Sequence, residues 1–527
     1  MTFPLKSQPI PTDYNELKDS HVLLKKQHEL LLQEYAYACN YFKQSMRAMQ
    51  KELFARSAES VKYAFRLFDE AEFNRDIEEK LATIESAPPP EVEETIVINP
   101  YKRKKPKRSP LPEHFPREEV VHDLKEEDKT CPHDQTPLHR MGEDIFEELH
   151  YQPAQYKVIR HITPKYACRH CEDQIIKAQM PKRLIPKSYV SSSLLANIAV
   201  SKYHHHLPLH RQEQILCSQG IKIPKTTMSD WILTLGEQLQ VMMNLMWEDL
   251  FKTPVIQCDE TPLQVLNVGE DKINKTTYMW VACRWQKDIK IILYEYDPTR
   301  KSSVPLRLFQ DYKGYLQVDG YQGYNAVTIN PDIIRMGCMA HLRRYFVKAL
   351  DDLQKSERHL HPAAEIETAI KQLYLIEESI RDYSADARLE ARNTLSRPIF
   401  EKIKNKVSKD FEMTLPKTLY GKALGYARKE LPYISKFLES GHLEIDNNRV
   451  ENCIRPFALG KKNWLFSNTE KGAKASANIY SIIHTAKANG WNPEEYLKIL
   501  IEKLPDCQVL EDYENLLPYQ LNKPLEC

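Results

Sequence analysis

Two aspartates follow short apolar segments that are typical of buried β-strands. Asp259 closes the segment 255–259, and Asp319 closes the segment 316–319. Carboxylates at the ends of adjacent strands point into one crevice, where they repel each other unless a cation neutralises them. Mg²⁺ and Mn²⁺ prefer such oxygen ligands. Two such ions, about 3.5–4 Å apart, activate an attacking oxygen and stabilise a leaving one on a phosphate group.

A third carboxylate is usually needed to fix the second ion, and Glu451 is the candidate. It belongs to segment 446–455, which predicts an amphipathic helix. Arg449 and Arg455 flank it and offer positive charge for a phosphodiester. Taken singly, each acid is better explained as a surface residue at the end of a strand. The three together predict phosphoryl-transfer chemistry.

The segments around these acids predict the sheet that positions them. Short runs rich in strand formers occupy 255–259, 278–283, 289–293 and 316–319, and a helix is predicted over 304–311. Three strands in a meander, then a helix, then another strand is the order of an RNase H-like sheet. Residues 340–440 are charged, helical and free of strand signals, and 460–464 is predicted as a basic loop before a helix at 473–489.

A possible zinc site lies upstream of the acids. Cys168 and Cys171 form a Cys-x-x-Cys knuckle, and Cys131 lies about 37 residues earlier. A structural zinc ion takes four ligands, which two knuckles brought together by a hairpin supply. Asp134 stands where a second cysteine of the first knuckle would be, and His133 is an alternative ligand. The other interpretation is a small β-unit with incidental cysteines.

Three further segments have two interpretations each. Leucines seven residues apart within 13–70 predict a coiled coil that dimerises the chain, or an amphipathic helix packed on its own domain. The linker 86–118 carries six basic residues between 102 and 108, which either neutralise phosphates or are solvated. Residues 211–217 and 226–235 predict a helix-turn-helix, or a plain helical hairpin.

Composition narrows the class of protein. The chain has 527 residues, 42% of them apolar, and a net charge of +1. No apolar run of bilayer length and no signal-peptide pattern is present, which predicts a cytoplasmic protein. In a reducing compartment, clustered members of the eleven cysteines are better metal ligands than disulfide partners.

Longer strings around the acids resemble the insertion sequence 66 family of transposases. The strings are 257–262 with Asp259, 317–324 with Asp319, 337–346, 447–456 with Glu451, and 460–466. The resemblance implies a DDE-type transposase in which these three acids hold two Mg²⁺ or Mn²⁺ ions. Such an enzyme cuts DNA at the ends of its element and joins the freed 3′-hydroxyl to target DNA.

The resemblance also implies the residues and partners around that centre. His341 is expected near the DNA backbone or the rim of the site. The residues expected to contact DNA are Arg343, Arg344, Arg449, Arg455, Lys461, Lys462 and Trp464. A structural Zn²⁺ is expected at Cys131, Asp134, Cys168 and Cys171, although the family usually has cysteine at the second position. Partners would be DNA, further copies of the chain and accessory proteins of the element, with nucleoid association during activity.

The expected architecture is α+β with several domains. It comprises a coiled-coil or helical dimerisation segment (13–85), a basic linker (86–127), a zinc-ribbon-like β-unit (128–180), a helix-turn-helix-like region (185–245), an RNase H-like catalytic domain in two parts (250–346 and 441–467), an all-helical insertion (347–440) and a C-terminal helical domain (468–527). Two rival classes remain open: a DNA-binding regulator without chemistry, and a coiled-coil scaffold without affinity for DNA.

Overall fold

The computed structural model describes Lys25, His28 and residues 156–163, 165–167, 175–177 and 179–521, without 270–274, 286–288, 352 and 355. Residues 70–180 form one unit, and 1–69 with 181–527 form another. In the first unit, β1 (Lys165–Ala167) pairs antiparallel with β2 (Ile175–Lys177). Most of the predicted coiled coil, the basic linker and all four zinc-ligand candidates lie outside the described residues.

Four helices precede the sheet in the described part of the second unit. They are α1 (Ser192–Tyr203), α2 (Leu209–Ser218), α3 (Lys225–Gln238) and α4 (Gln240–Phe251). The side chain of Ser191 accepts from the backbone N–H of Leu194 and thereby caps α1. The turn after α2 contains Gly220 at φ +81°, a conformation that favours glycine. The two helices predicted at 211–217 and 226–235 are therefore present, and a turn connects them.

The sheet consists, in the described residues, of β3 (Val255–Asn267), β4 (Lys275–Trp285), β5 (Lys290–Asp297), β6 (Gly314–Gln317), β7 (Ile333–Met336) and β8 (Ser467–Thr469). The strand order is β5-β4-β3-β6-β7, and β8 also pairs with β3. β3, β4 and β5 form an antiparallel meander, whereas β6 and β7 run parallel to β3. Helix α5 (Ser303–Leu308) lies between β5 and β6 in sequence. This mixed α/β order is the one that the sequence predicted.

The prediction that Asp259 ends its strand is wrong, because β3 continues to Asn267. Parallel pairing with β6 stops at Gln257, while antiparallel pairing with β4 continues to Val265. The side of β3 that faces β6 is therefore unpaired around Pro262, where a proline is tolerated. Asp259 stands where the sheet opens on that side.

The free edge of β5 is covered by helix α12 (Glu470–Ala488). The backbone N–H groups of Ile292 and Tyr294 donate to the hydroxyls of Thr485 and Ser481 at 3.0 and 2.8 Å. The Thr485 hydroxyl also donates to the Ile292 carbonyl at 3.0 Å. Side chains of one helix thus satisfy backbone groups that an edge strand would otherwise expose.

Helices occupy the chain between β7 and residue 447. The described helices are α6 (Met339–Asp351), α7 (Pro362–Ser379), α8 (Ala385–Ala391), α9 (Arg397–Met413) and α10 (Leu419–Ile434). A π-helical turn, Arg392–Ser396, connects α8 to α9. The buried apolar side chains of this segment form a cluster of their own, separate from the larger cluster around the sheet.

Helix α11 (Asn448–Trp464) corrects a second prediction, because residues 460–464 belong to it and do not form a loop. Within the helix, the glycine at position 460 permits close packing. A Cβ on Gly460 would lie 2.5 Å from the Tyr480 hydroxyl and 2.9 Å from Trp464 Nε1. The basic side chains of this stretch therefore project from a rigid element.

The chain continues after α12 with α13 (Pro493–Lys503) and α14 (Leu510–Glu514). Asn492 accepts from the backbone N–H groups of Glu494 and Glu495 and so caps α13. Among the helices that the structure describes, none combines the length and apolar character that crossing a bilayer requires.

Candidate active site

Asp259 lies within β3, and Asp319 lies just beyond the end of the neighbouring strand β6. Gln257 of β3 is paired in parallel register with Gln317 of β6, and each aspartate lies two residues further along. The two carboxylates are close enough to interact. Burial is the largest cause that raises the pKa of Asp259 well above its usual value, and the charges of Glu260 and Asp319 raise it further. A cation between the aspartates would relieve this repulsion.

A pair of buried glutamine side chains holds these two strands together. Gln257 Nε2 donates to Gln317 Oε1 at 2.8 Å and to the Asp446 carbonyl at 3.0 Å. Gln317 Nε2 donates to the Glu444 carbonyl at 2.9 Å. The segment that leads into α11 is therefore fixed to the same strands that carry the aspartates. A glutamine two residues before each aspartate was the signal in the sequence, and it was not recognised.

Glu451 lies in the first turn of α11 and is 8% exposed. Its carboxylate is 3.6 Å from His341 Nδ1 and 3.9 Å from Arg344 Nη2, both on α6. The preceding residue donates its backbone N–H to Gln257 Oε1 at 3.2 Å. The start of α11 is thereby tied to β3, while the Glu451 side chain contacts the helical segment.

The three predicted acids lie on or next to elements that contact one another, but their carboxylates do not surround a common point. Across the described residues, no three side chains of the types His, Cys, Asp and Glu lie close enough to hold one metal ion. Asp259 and Asp319 offer the oxygen donors that Mg²⁺ and Mn²⁺ prefer. In this conformation Glu451 contacts His341 and Arg344 instead.

Arg300 is a residue of this site that sequence reasoning missed. Its Nε donates to Glu260 Oε1 at 2.6 Å, and its guanidinium lies 3.9 Å from the centre of the Tyr321 ring. Tyr321 in turn donates its backbone N–H to Asp319 Oδ1 at 2.9 Å. The charge of Arg300 opposes the rise in pKa of Asp259 and Glu260. No spacing in the sequence connects Arg300, in the segment between β5 and α5, with the acids.

Arg335 links the turn that carries Asp319 to the helices between β7 and α11. This buried β7 residue donates to the Asp319 carbonyl at 3.0 Å and to Glu430 Oε2 of α10 at 2.8 Å. Gly320 follows Asp319 closely against α10, because a Cβ there would lie 2.5 Å from the Tyr426 ring. The turn that carries Asp319 is therefore packed against α10.

The same helical segment also holds the chain that leads to Glu451. Tyr374 of α7 donates its hydroxyl to Asp446 Oδ2 at 2.9 Å. Arg392, which is fully buried, donates to the carbonyls of Ser440 and Leu443 at 2.8 Å. Both ends of the candidate site thus depend on helices that lie outside the sheet.

The residues expected to contact DNA differ in how they are held. Arg343 is mostly buried and pairs with Glu367 of α7 at 2.8 Å. Arg449 pairs with Glu444 at 2.9 Å and donates to the Trp285 carbonyl at 3.2 Å. Both guanidinium groups therefore have protein partners. Arg344 is 37% exposed and lies 3.9 Å from the Glu451 carboxylate.

The remaining candidates for DNA contact lie in the C-terminal half of α11. Lys461 donates to the Pro262 carbonyl at 2.6 Å, and burial lowers its pKa. Lys462 is exposed, and Arg455 is partly buried on the same helix. Trp464 packs against Phe457 with 5.5 Å between ring centres. Another aromatic side chain, Phe466, is exposed just beyond the helix and is better placed for stacking than the predicted tryptophan.

Comparison with known proteins gives one consistent result. Residues 187–475 match the model of the transposase IS66 family, and residues 128–172 match the zinc-finger binding domain of transposase IS66. Residues 481–519 match the IS66 C-terminal element, and residues 41–120 match a domain described as transposase C of IS166 homeodomain. Along the chain, the matches run in the order 41–120, 128–172, 187–475 and 481–519.

Similar proteins occur in Sinorhizobium fredii. The protein called y4jD is 30% identical over 421 residues, which cover 78% of this chain and 81% of the relative. The protein called y4qI is 30% identical over 439 residues, covering 79% of this chain and 78% of the relative. Both relatives are described as uncharacterized. With the family match extending over 187–475, the chain belongs to the IS66 family of transposases.

Proposed function

We propose that this transposase cuts DNA at the ends of an insertion sequence and joins those ends to target DNA, with divalent metal ions held by Asp259, Asp319 and Glu451. The observation that carries the proposal is the register of β3 and β6, which aligns the two aspartates beyond the paired glutamines. Membership of the family supports the transposase role. The metal-dependent chemistry is our inference from the acids.

The catalytic domain is proposed to be RNase H-like. An antiparallel meander β3-β4-β5, followed by a helix and by strands parallel to β3, supports this assignment. We propose that residues 250–346 and 441–467 form this domain, that 347–440 are inserted in it, and that 468–527 form the C-terminal helical domain. The separate apolar cluster of the inserted helices supports that division.

The metal site would combine Asp259 and Asp319 with Glu451. Bound Mg²⁺ or Mn²⁺ would supply Lewis-acid activation of a phosphodiester and of the attacking oxygen. Arg300 limits repulsion among the neighbouring carboxylates, and its 39% exposure leaves it accessible to a phosphate. His341 and Arg344 hold Glu451 beside the aspartate-bearing strands until the site is loaded.

DNA is proposed to contact basic residues near this site. Arg344 on α6 and Arg455 on α11 are partly exposed, Lys462 on α11 is exposed, and Phe466 offers a ring for stacking. Arg343, Arg449, Lys461 and Trp464 remain candidates that would first have to leave their present contacts. Cleavage at two ends of an element further implies two or more copies of the chain, with accessory proteins of the element as possible partners.

Cleavage of DNA that carries the element's own ends tests the proposal. We expect the wild-type protein to nick such DNA with Mn²⁺ or Mg²⁺, and Asp319→Asn to abolish nicking while DNA binding persists. Asp311→Asn, a change at an exposed aspartate just before β6, is the matched control and should nick normally. Equal nicking by wild type and Asp319→Asn would remove the catalytic assignment and leave a DNA-binding protein.

A structural zinc ion is proposed for the segment that matches the family's zinc-finger domain. Its ligands would be Cys131, Asp134, Cys168 and Cys171, with His133 as the alternative to the aspartate. Metal analysis of the purified protein should find about one zinc per chain, and Cys168→Ser should remove it. If His133→Ala loses zinc while Asp134→Ala retains it, the histidine is the fourth ligand.

A further inference from the structure

Helix α11 ends in a strained turn centred on Leu465. This residue has φ 65° and ψ −52°, and the backbone N–H of Phe466 donates to the Trp464 carbonyl at 2.8 Å. A hydrogen bond between residues two apart, with positive φ at the residue between them, defines the γ-turn that is rare and strained in proteins. Glycine would adopt this φ more readily, because it has no Cβ. The chain nevertheless has a leucine here.

Ordered structure on both sides of Leu465 holds this turn in place. The Leu465 N–H continues the helical pattern by donating to the Lys461 carbonyl at 2.7 Å. Two residues after the centre of the turn, Ser467 begins β8 and is paired with Val265 of β3. Strained residues persist where the surrounding structure over-determines them, and they concentrate at functional sites. The strain at Leu465 therefore indicates a use for this turn.

The side chains at the turn are apolar and exposed. Leu465 is 61% exposed and Phe466 is 43% exposed, and neither belongs to an apolar cluster of the domain. Lys462, in the last turn of α11, is exposed beside them. An apolar pair next to a positive charge is complementary to a nucleic acid, whose phosphates are anionic and whose stacked bases are apolar.

The turn lies beside the opening of the sheet that contains Asp259. Gln257 of β3 is paired with both β4 and β6, and Val265 with both β4 and β8, so β6 and β8 share one edge of β3. Asp259 lies in the gap between them, and the turn immediately precedes β8. From Asp259 to Val265, six residues of strand span about 20 Å. From Glu451 to Trp464, thirteen residues of helix also span about 20 Å.

We propose that Leu465 and Phe466 form an apolar wedge that inserts between base pairs of the bound DNA and unstacks them. About six base pairs, at about 3.4 Å each, cover the distance from the acids to the turn, so the unstacked step would lie about that far from the cut. Apolar side chains that enter a base step in this way kink the duplex. Because the turn is already fixed, little conformational entropy is lost on insertion. The inference rests on the proposed function, since it takes DNA as the substrate of the acids.

Leu465→Gly distinguishes a wedge from a side chain that supports the fold. Glycine adopts positive φ without strain, so the variant should keep the urea midpoint of wild type or raise it. Removal of a side chain that supports the fold would lower the midpoint. Leu375→Ala, a change at an exposed leucine of α7, is the control for the DNA measurements and should behave like wild type.

Fluorescence of 2-aminopurine reports unstacking at single positions of the DNA. The probe is a duplex with the element's own end, and the parent protein is Asp319→Asn, which should leave it uncut. We expect the fluorescence to rise about twofold or more at a step about six base pairs from the cut, and Leu465→Gly or Phe466→Ala to abolish the rise. A mismatch at that step should tighten binding by the parent about fivefold and not by its Leu465→Gly variant, because an unpaired base is easier to unstack.

Unstacking that persists in Leu465→Gly, or no unstacking by the parent protein, would overturn the inference. A lower urea midpoint in Leu465→Gly would assign the side chain to the fold instead. If that variant loses mass in light scattering while unstacking persists, the turn joins two copies of the chain and the wedge is wrong. If Asp319→Asn cleaves DNA like wild type, the proposed function fails, but the difference in fluorescence between the parent and Leu465→Gly still tests the wedge.

Discussion

Gln257 donates its side-chain amide to Gln317 across two parallel strands, two residues before each aspartate of the candidate site. The same two amides bind the carbonyls of Asp446 and Glu444, which lead into the helix of Glu451. One buried pair thus sets the relative position of three separate segments. Because the pair is buried, water cannot replace a hydrogen bond that is removed from it. Loss of either side chain should therefore lower the free energy of unfolding.

Gln317→Leu should lower both stability and activity. The change leaves the Glu444 carbonyl without its donor, and one N–H of the Gln257 amide without its acceptor, at a cost of about 1–3 kcal/mol in the free energy of unfolding. Urea denaturation measures this cost, and cleavage should fall because the start of α11 loses a contact. Gln310→Leu, at an exposed position, should stay within about 0.5 kcal/mol of wild type. Equal effects of the two changes would contradict the role of the pair.

Arg300→Gln should reduce cleavage even when its ion-pair partner has been neutralised. Arg300 contacts Glu260, and its charge also lowers the pKa of Asp259. If Arg300 serves the aspartates, the double variant Arg300→Gln, Glu260→Gln will cleave more slowly than Glu260→Gln alone. A double-mutant cycle on cleavage rates measures the difference. Identical rates in those two variants would limit Arg300 to pairing with Glu260.

Arg392→Met should unfold the inserted helices at lower denaturant than wild type. The fully buried guanidinium pairs with Glu377 at 2.6 Å and donates to the carbonyls of Phe437, Ser440 and Leu443. Removing it leaves Glu377 with Arg388 as its remaining partner and leaves the three carbonyls without their donor, at a cost of up to about 3–5 kcal/mol. Arg381→Met, at an exposed ion pair, is the control and should cost at most about 1 kcal/mol. Similar urea midpoints for both variants would contradict this account.

Acid should destabilise the protein partly through His484. Burial, together with the smaller effects of the charges of His204 and Lys487, lowers its pKa from 6.5 to about 3. The folded state therefore binds fewer protons than the unfolded state between these values, so stability falls as the pH falls below about 6.5, by at most about 1.4 kcal/mol per pH unit. His484→Phe should retain the stacking on Tyr480 and make the loss shallower.

Urea denaturation from pH 7.5 to pH 5 measures that slope for wild type and His484→Phe. His442→Gln, a change at an exposed histidine, is the control and should follow the wild-type profile. A His484→Phe profile parallel to that of wild type would show that this histidine does not contribute to acid sensitivity.

The sequence predicted those parts of the fold that local patterns encode. The meander, the following helix and strand, and the two helices at 209–238 show clear periodicity, and the acids could be recognised as chemistry-bearing residues. The extension of β3 beyond Asp259 could not be predicted, because pairing with β4 outweighs the local signal of Pro262. Gly460 was misjudged because the close approach of Tyr480 comes from a distant segment.

The environment of the acids was the least predictable part of the site. Arg300 reaches Glu260 from 40 residues away, and Arg335, which holds Asp319, reaches Glu430 over 95 residues. Contacts at such separations depend on tertiary packing and leave no spacing pattern in the sequence. For the same reason, only the structure shows that Glu451 contacts His341 and Arg344.

The hydrogen bonds between the β5 backbone and the hydroxyls of Ser481 and Thr485 limit how copies of the chain can assemble. A strand from another molecule would need those same N–H groups in order to extend the sheet. The assembly of copies on DNA ends that we propose would therefore have to form without a continuous intermolecular sheet through β5. Separation of α12 from the domain would uncover that template and favour aggregation.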